Sequence, residues 1–273
     1  MSQTGRLTAV AVLLLAAQFG RAHPGAEQTL SYLNAQLSIN PGNAALYQQR
    51  ALAHSHNGNH QLALTDLQTA NRLNDGRIAA LDFGLLYYRL GDSETAVNYL
   101  NRHLEEFPDH PIALRHRAKI FQAQQNNAAA LRDYNTLITQ GEGLDVADYL
   151  ATAKLLTLSQ PDRTEEAIAI LDQGISRIGV VPQLQNRAIE LELKRGKTDL
   201  AITRQQTLSN GNAGVKNPHW LTAMAKLLIS AGRENEARQH LLEAEALLKS
   251  LRKNPARHQL LAEVHASLAE LDP

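Results

Sequence analysis

The 273-residue chain carries 27 lysines and arginines against 27 aspartates and glutamates, so no global positive field draws in a phosphate backbone, and nucleic acid is not expected as a partner. Apolar residues make up 44%, enough for one substantial core or two compact ones, but aromatics are only 4%, too few to tile a stacking platform for bases or sugars. Cysteine is absent, which removes disulfides, thiol catalysis and cysteine-ligated metals together.

The first segment, MSQTGRLTAVAVLLLAAQFGRAHPGAEQ, has a single cation at Arg6, an apolar run from Leu7 to Ala17, and small residues at Gly20 and Ala22. That arrangement reads as a secretory signal peptide over residues 1–22, cut after Ala22. The run falls short of the ~20 apolar residues that span a bilayer, and no cysteine stands near the cut to take a lipid. No stable membrane anchor is therefore expected after cleavage. An exported, cysteine-free protein of this size fits a bacterial periplasm better than a disulfide-stapled extracellular module. Cleavage would leave His23 at the mature terminus, where an amine and an imidazole can chelate copper.

Beyond residue 25, apolar residues recur at three- and four-residue spacing in segments of about a dozen residues, separated by short Gly, Asn, Asp or Pro turns, which predicts an all-α chain. AEQTLSYLNAQLSINP (26–41) reads as a lone helix with Leu30, Leu33 and Leu37 on one face. Residues 45–75, 79–109 and 113–139 then superimpose as helix, turn, helix. An alanine starts the second helix of each successive unit at Ala63, Ala96, Ala130, Ala167, Ala201 and Ala237, spaced by 33, 34, 37, 34 and 36 residues. Five residues before four of these stand Gly58, Gly91, Gly196 and Gly232, the expected turns. Small residues at Ala51, Gly84, Ala118 and Ala225 mark close helix approach, and Leu67, Leu100, Tyr134, Leu171 and Leu241 supply the knobs that fill the gap to the next unit. The fourth and fifth units depart from the pattern, with an extended turn in SQPDRTEEA (159–167) and Gln205 in place of an apolar knob. The last segment, 254–273, presents Leu261, Val264, Leu268 and Leu271 on one face, as a terminal unit must to cap an array.

This pattern resembles the tetratricopeptide repeat, a pair of antiparallel helices of about 34 residues. The resemblance implies a right-handed α-solenoid of about six helix-turn-helix units over 44–251, with capping helices at 26–41 and 254–273. It also implies a concave surface, lined by the first helix of each unit, that receives a partner's extended segment or helix. Projecting the better-aligned units onto that face gives Gln48, Leu52 and Ser55, then Leu81, Leu85, Tyr88 and Arg89, then Arg115, Lys119 and Gln122. The expected site is an apolar floor beside a cationic patch, suited to a protein segment with an apolar anchor and a carboxylate that Arg115 can bind in bidentate fashion. Some members of the family grip a terminal carboxylate with lysine, asparagine and arginine on three consecutive helices. Here Gln48, Leu52, Asp82, Ile112 and His116 stand in those places, so that clamp is absent. The implied role is an exported interaction scaffold in assembly or maturation of a bacterial envelope complex, with no cofactor.

One stretch suggests a different chemistry. HSHNGNH at 54–60 sets three histidines within seven positions, and with His23 they make the case for a periplasmic copper- or zinc-handling protein. Placed on the repeat, however, His54 takes an inward position shared with Tyr87 and Phe121, Gly58 supplies the turn, and His60 opens the second helix. Only His56 is left over, and histidines two apart point to different sides of a helix, whereas a metal site wants three or four converging ligands. Catalysis has weaker support. Asp133, Ser159, Glu165 and Glu166 are scattered, GEG at 141–143 has no strand before it, and no nucleophile elbow, phosphate loop or paired-histidine helix accompanies them, so the chain reads as non-enzymatic.

Overall fold

A computed structural model of the chain describes residues 25–76, 79–210, 217–252 and 254–271. The expected signal peptide, 1–22, and His23 lie outside the described residues. Among those described, all regular structure is helical, and no helix is long and apolar enough to cross a membrane. Packing divides the chain into two compact units, one ending at Ile120 and one beginning at Phe121.

In the first unit α1 (Ala26–Ile39) precedes two helix hairpins, α2 (Ala44–His56) with α3 (His60–Leu73) and α4 (Ala80–Leu90) with α5 (Ser93–Glu106); α6 (Pro111–Ala123) follows. The order is the one in which neighbours pack: α1 on α2, α2 on α3, α3 on α4, α4 on α5. Leu33 and Leu37 are the buried residues of α1. Two of these helices start at a side-chain cap. The Asn43 side chain accepts from the Ala45 and Leu46 amides at the head of α2, and Asp92 accepts from Thr95 at the head of α5, each satisfying backbone donors that the helix itself cannot.

The hairpins close because small residues sit where the helices cross. A methyl group added at Gly84 would lie 2.9 Å from Leu100 Cγ, so α4 and α5 approach as closely as glycine permits. Ala63 and Ala96 are fully buried, Leu67 and Leu100 fill the next space, and Phe83 stacks on Tyr99 with ring centroids 5.0 Å apart. Polar ties run alongside this core. The Arg50 guanidinium donates to both carboxylate oxygens of Asp66 on α3, at 2.7 and 2.6 Å, and to Asn34 on α1 at 2.8 Å.

The second unit contains α7 (Asn127–Gln140), α8 (Val146–Thr157), α9 (Thr164–Ile178), α10 (Pro182–Lys194), α11 (Thr198–Asn210), α12 (Pro218–Ser230), α13 (Glu234–Ser250) and α14 (Pro255–Glu270). Successive helices again pack on one another. The marker alanines Ala130, Ala167, Ala201 and Ala237 are fully buried. Where the sequence departs from the apolar pattern, the structure substitutes polar contacts: Gln205 is 3% exposed and its amide donates to the Trp220 carbonyl at 3.4 Å. Leu261, Val264, Leu268 and Leu271 of the last segment all pack against the core formed by α11, α12 and α13, and Leu260 is buried with them.

Candidate functional site

Residues projected onto one face meet in the first unit through contacts between α2, α4 and α6. Arg89 on α4 donates from its guanidinium to the Ser55 hydroxyl on α2. Beside it on the same face, Tyr88 meets the His116 ring of α6 edge-on, with centroids 5.2 Å apart and planes at 83°. These two contacts, made by adjacent residues of α4, bring the three helices side by side. Their spacing explains the rest: Leu81, Leu85 and Tyr88 recur at four and three residues, as do Ile112, His116 and Lys119, so each set shares a stripe of its helix.

Along that face Leu52 is 56% exposed, while Leu81, Leu85 and Tyr88 are half-buried. Ser55 is buried beneath Arg89; Arg89 and Lys119 are exposed and Arg115 is half-buried. The cations concentrate around one imidazole. His116 Nδ1 lies 2.8 Å from the Ile112 carbonyl oxygen, and its ring is held below the ordinary histidine range first by burial and then by the positive charges of Lys119, Arg115 and Arg89, while the Ile112 carbonyl pulls the other way. Three cations expected from the sequence therefore share one electrostatic neighbourhood. Gln122 is not part of it: it falls after the division at residue 120, and its side-chain oxygen accepts the Tyr134 hydroxyl at 3.1 Å.

His116 stands at a place of the absent carboxylate clamp but was not among the residues projected as contacts. It stands one position after Arg115 in the projected set, and neighbouring positions on a helix are turned by about 100°. The available signal was its spacing of three from Lys119 and four from Ile112.

At the histidine corner the three rings have different surroundings. His54 is half-buried, with Nε2 3.9 Å from Asp66 Oδ2, the carboxylate already held by Arg50. His56 is exposed; His60 is half-buried at the start of α3. Among the described residues no group of three or more histidine, aspartate or glutamate side chains is arranged to hold a metal ion. The Asn57–Asn59 turn passes through Gly58, whose φ of 77° is left-handed, a conformation that glycine adopts without steric cost.

The acid–base candidates are each buried or engaged by a neighbour. Asp133 is buried, Glu165 pairs with Arg195, Glu166 is bound by Arg163 at 2.7 Å, and the Ser159 hydroxyl donates to the Leu155 carbonyl at 2.9 Å. An open depression in the second unit is lined by Leu131, Arg132, Asn135, Ser159, Pro161 and Arg163, but its Arg163 already carries Glu166.

No protein-family model and no curated protein sequence matches the chain. Solved structures do. A tetratricopeptide repeat protein from Parabacteroides merdae is similar over 88% of this chain and 92% of its own, at 20% identity and a TM-score of 0.51. The pilF protein of Pseudomonas aeruginosa is similar over 82% of this chain and 96% of its own, at 14% identity and a TM-score of 0.51. At such identities what is shared is the fold.

Proposed function

Because the chain carries the fold of tetratricopeptide-repeat proteins, we propose that it is a non-enzymatic interaction scaffold that binds a segment of a partner protein on the face formed by α2, α4 and α6. The observation that carries this reading is the juxtaposition of an apolar strip, Leu52, Leu81 and Leu85, with three cations, Arg89, Arg115 and Lys119, around His116. An apolar strip alone selects little. An apolar strip ending in cations selects a segment whose hydrophobic anchor is followed by a carboxylate, with the charges steering encounter and the apolar contacts holding the complex. The residues proposed to make contact are Leu52, Leu81, Leu85, Tyr88, Arg89, Arg115 and Lys119.

The setting we propose is the bacterial envelope, where the scaffold would serve assembly or maturation of a complex. The apolar run Leu7–Ala17 and the small residues up to Ala22 support export, and the mass of the protein isolated from its host checks it: retention of residues 1–22 contradicts the proposal.

Charge reversal tests the face. Crosslinking capture from an envelope extract with mature protein identifies a partner, and the affinity of that partner's segment is then measured against Arg115→Glu/Lys119→Glu. Lys119 is exposed and Arg115 half-buried on one helix, so helicity should be unchanged while affinity falls about tenfold or more. Equal affinity for the two forms contradicts the proposed face.

A further inference from the structure

We propose that His116 is the proton-linked element of this face: an acidic group of the partner, seated among Arg89, Arg115 and Lys119, is bound with uptake of a proton from solvent at Nε2 of His116. The inference rests on the reading of the α2–α4–α6 face as a partner site and adds to it a specificity residue and a regulation.

The geometry assigns the titrating atom. The Ile112 carbonyl oxygen, 2.8 Å from Nδ1, can only accept, so Nδ1 carries a hydrogen in both the neutral and the charged ring. Nε2 is then the nitrogen that holds a lone pair in the neutral ring and a proton in the imidazolium. The Tyr88 ring, perpendicular to the imidazole at 5.2 Å, fixes the plane in which Nε2 lies. The charged groups acting on the ring are Arg89 from α4 and Arg115 and Lys119 from its own helix, all of one sign.

A neutral Nε2 among cations is an acceptor in a place where an arriving carboxylate needs a donor. Proton uptake resolves that mismatch: the Nε2 lone pair takes a solvent proton, the resulting N–H donates to the carboxylate, and the anion offsets the repulsion from the three neighbouring cations. Burial, the leading cause that keeps the free ring neutral, also strengthens the ion pair once formed. Linkage then fixes the sign. A ring that is easier to protonate in the complex than in the free protein makes binding tighter as pH falls, by up to about tenfold per pH unit between the free and bound midpoints. The face is thereby selective for acidic segments over isosteric amides, and more so on the acid side of neutrality.

The test uses the full mature chain and two capped peptides, tetraglutamate and tetraglutamine, between about pH 8 and about pH 5.5, above the ordinary glutamate range. Imidazole nitrogen and carbon shifts of His116 are followed by NMR with and without each peptide, alongside affinity. The expected result has the free ring as the Nδ1–H tautomer with its midpoint below the unperturbed histidine value. Tetraglutamate raises that midpoint and binds more tightly at the acid end. Tetraglutamine does neither, and His116→Gln retains tetraglutamate binding with a flattened pH profile. If tetraglutamate binds in an Arg115- and Lys119-dependent way while the His116 midpoint stays fixed, the proton linkage is overturned and the face stands. If tetraglutamate fails to bind, or binds the charge-reversed form equally well, the acidic reading of the face fails and the linkage with it.

Discussion

Gln125 is the plainest case of a residue at odds with its position. It holds a left-handed φ of 60° at the turn where Gly58, Gly91, Gly196 and Gly232 hold 77°, 81°, 69° and 71°. A side chain there pays a steric cost of about 1–2 kcal/mol, whereas glycine pays about 0.5–1 kcal/mol in unfolded-chain entropy. Gln125→Gly should therefore stabilise the protein by about 0.5–1 kcal/mol in urea unfolding; a loss of stability contradicts the repeat register. His103 gives a prediction in pH. Its ring packs edge-on against His110 at 4.7 Å and tilted against Phe107 at 5.0 Å, and burial, followed by His110, holds it below the ordinary range despite the opposite pull of Glu106 and Asp82. Above about pH 6.5 the ring is neutral folded and unfolded and adds nothing. As pH falls through that value the unfolded chain takes the proton first, so stability drops until the lower folded-state value is passed. A Tm profile from pH 7 to 5 should be flatter in His103→Gln than in the wild type; parallel profiles would show that the ring titrates alike in both states.

At the scale of elements, ionic ties supplement the apolar knobs of both units, through Arg50 and Asp66 in the first and around a buried glutamate in the second. Glu192 of α10 is 3% exposed, with Arg204 of α11 at 3.5 Å and Arg195 at 3.6 Å, while Arg204 also binds Asp172 of α9 through two bonds of 2.6 and 2.8 Å. Removing one partner of a buried pair strands the other charge, so Arg204→Met should cost about 3 kcal/mol, and Arg204→Met with Glu192→Leu should recover much of it. Urea midpoints check both; a single variant as stable as the wild type contradicts the network. The kind of knob explains what was legible. Hairpins marked by Ala63, Ala96 and Ala237 could be read because a small residue and an apolar knob recur at fixed offsets, and both are local signals. At Gln205 the knob is polar and its partner is a backbone carbonyl fifteen residues away, a pairing no local pattern encodes. The face was legible for the same reason and to the same extent. Spacing placed Leu81, Leu85 and Tyr88 on one stripe, but the Tyr88–His116 and Arg89–Ser55 contacts join different helices, so the resemblance could put His116 at a clamp place without showing what it touches.

For the whole molecule, the proposed recognition face lies in the first unit, and the second is a separately packed array. Nothing in the sequence marks the division after Ile120, which falls inside the continuous helix α6, because a helix interior reads the same whichever body its faces join. The central claim, that a partner segment lies along α2, α4 and α6, is tested most directly by a crosslinking footprint. A photoreactive residue is placed in turn at Leu52, Leu85 and Lys119 on that face, and at Leu62, which is exposed on α3. The account predicts crosslinks to a single acidic segment of one partner from the first three positions and none from Leu62. Crosslinks from Leu62 alone, or an equal yield from all four, would contradict it.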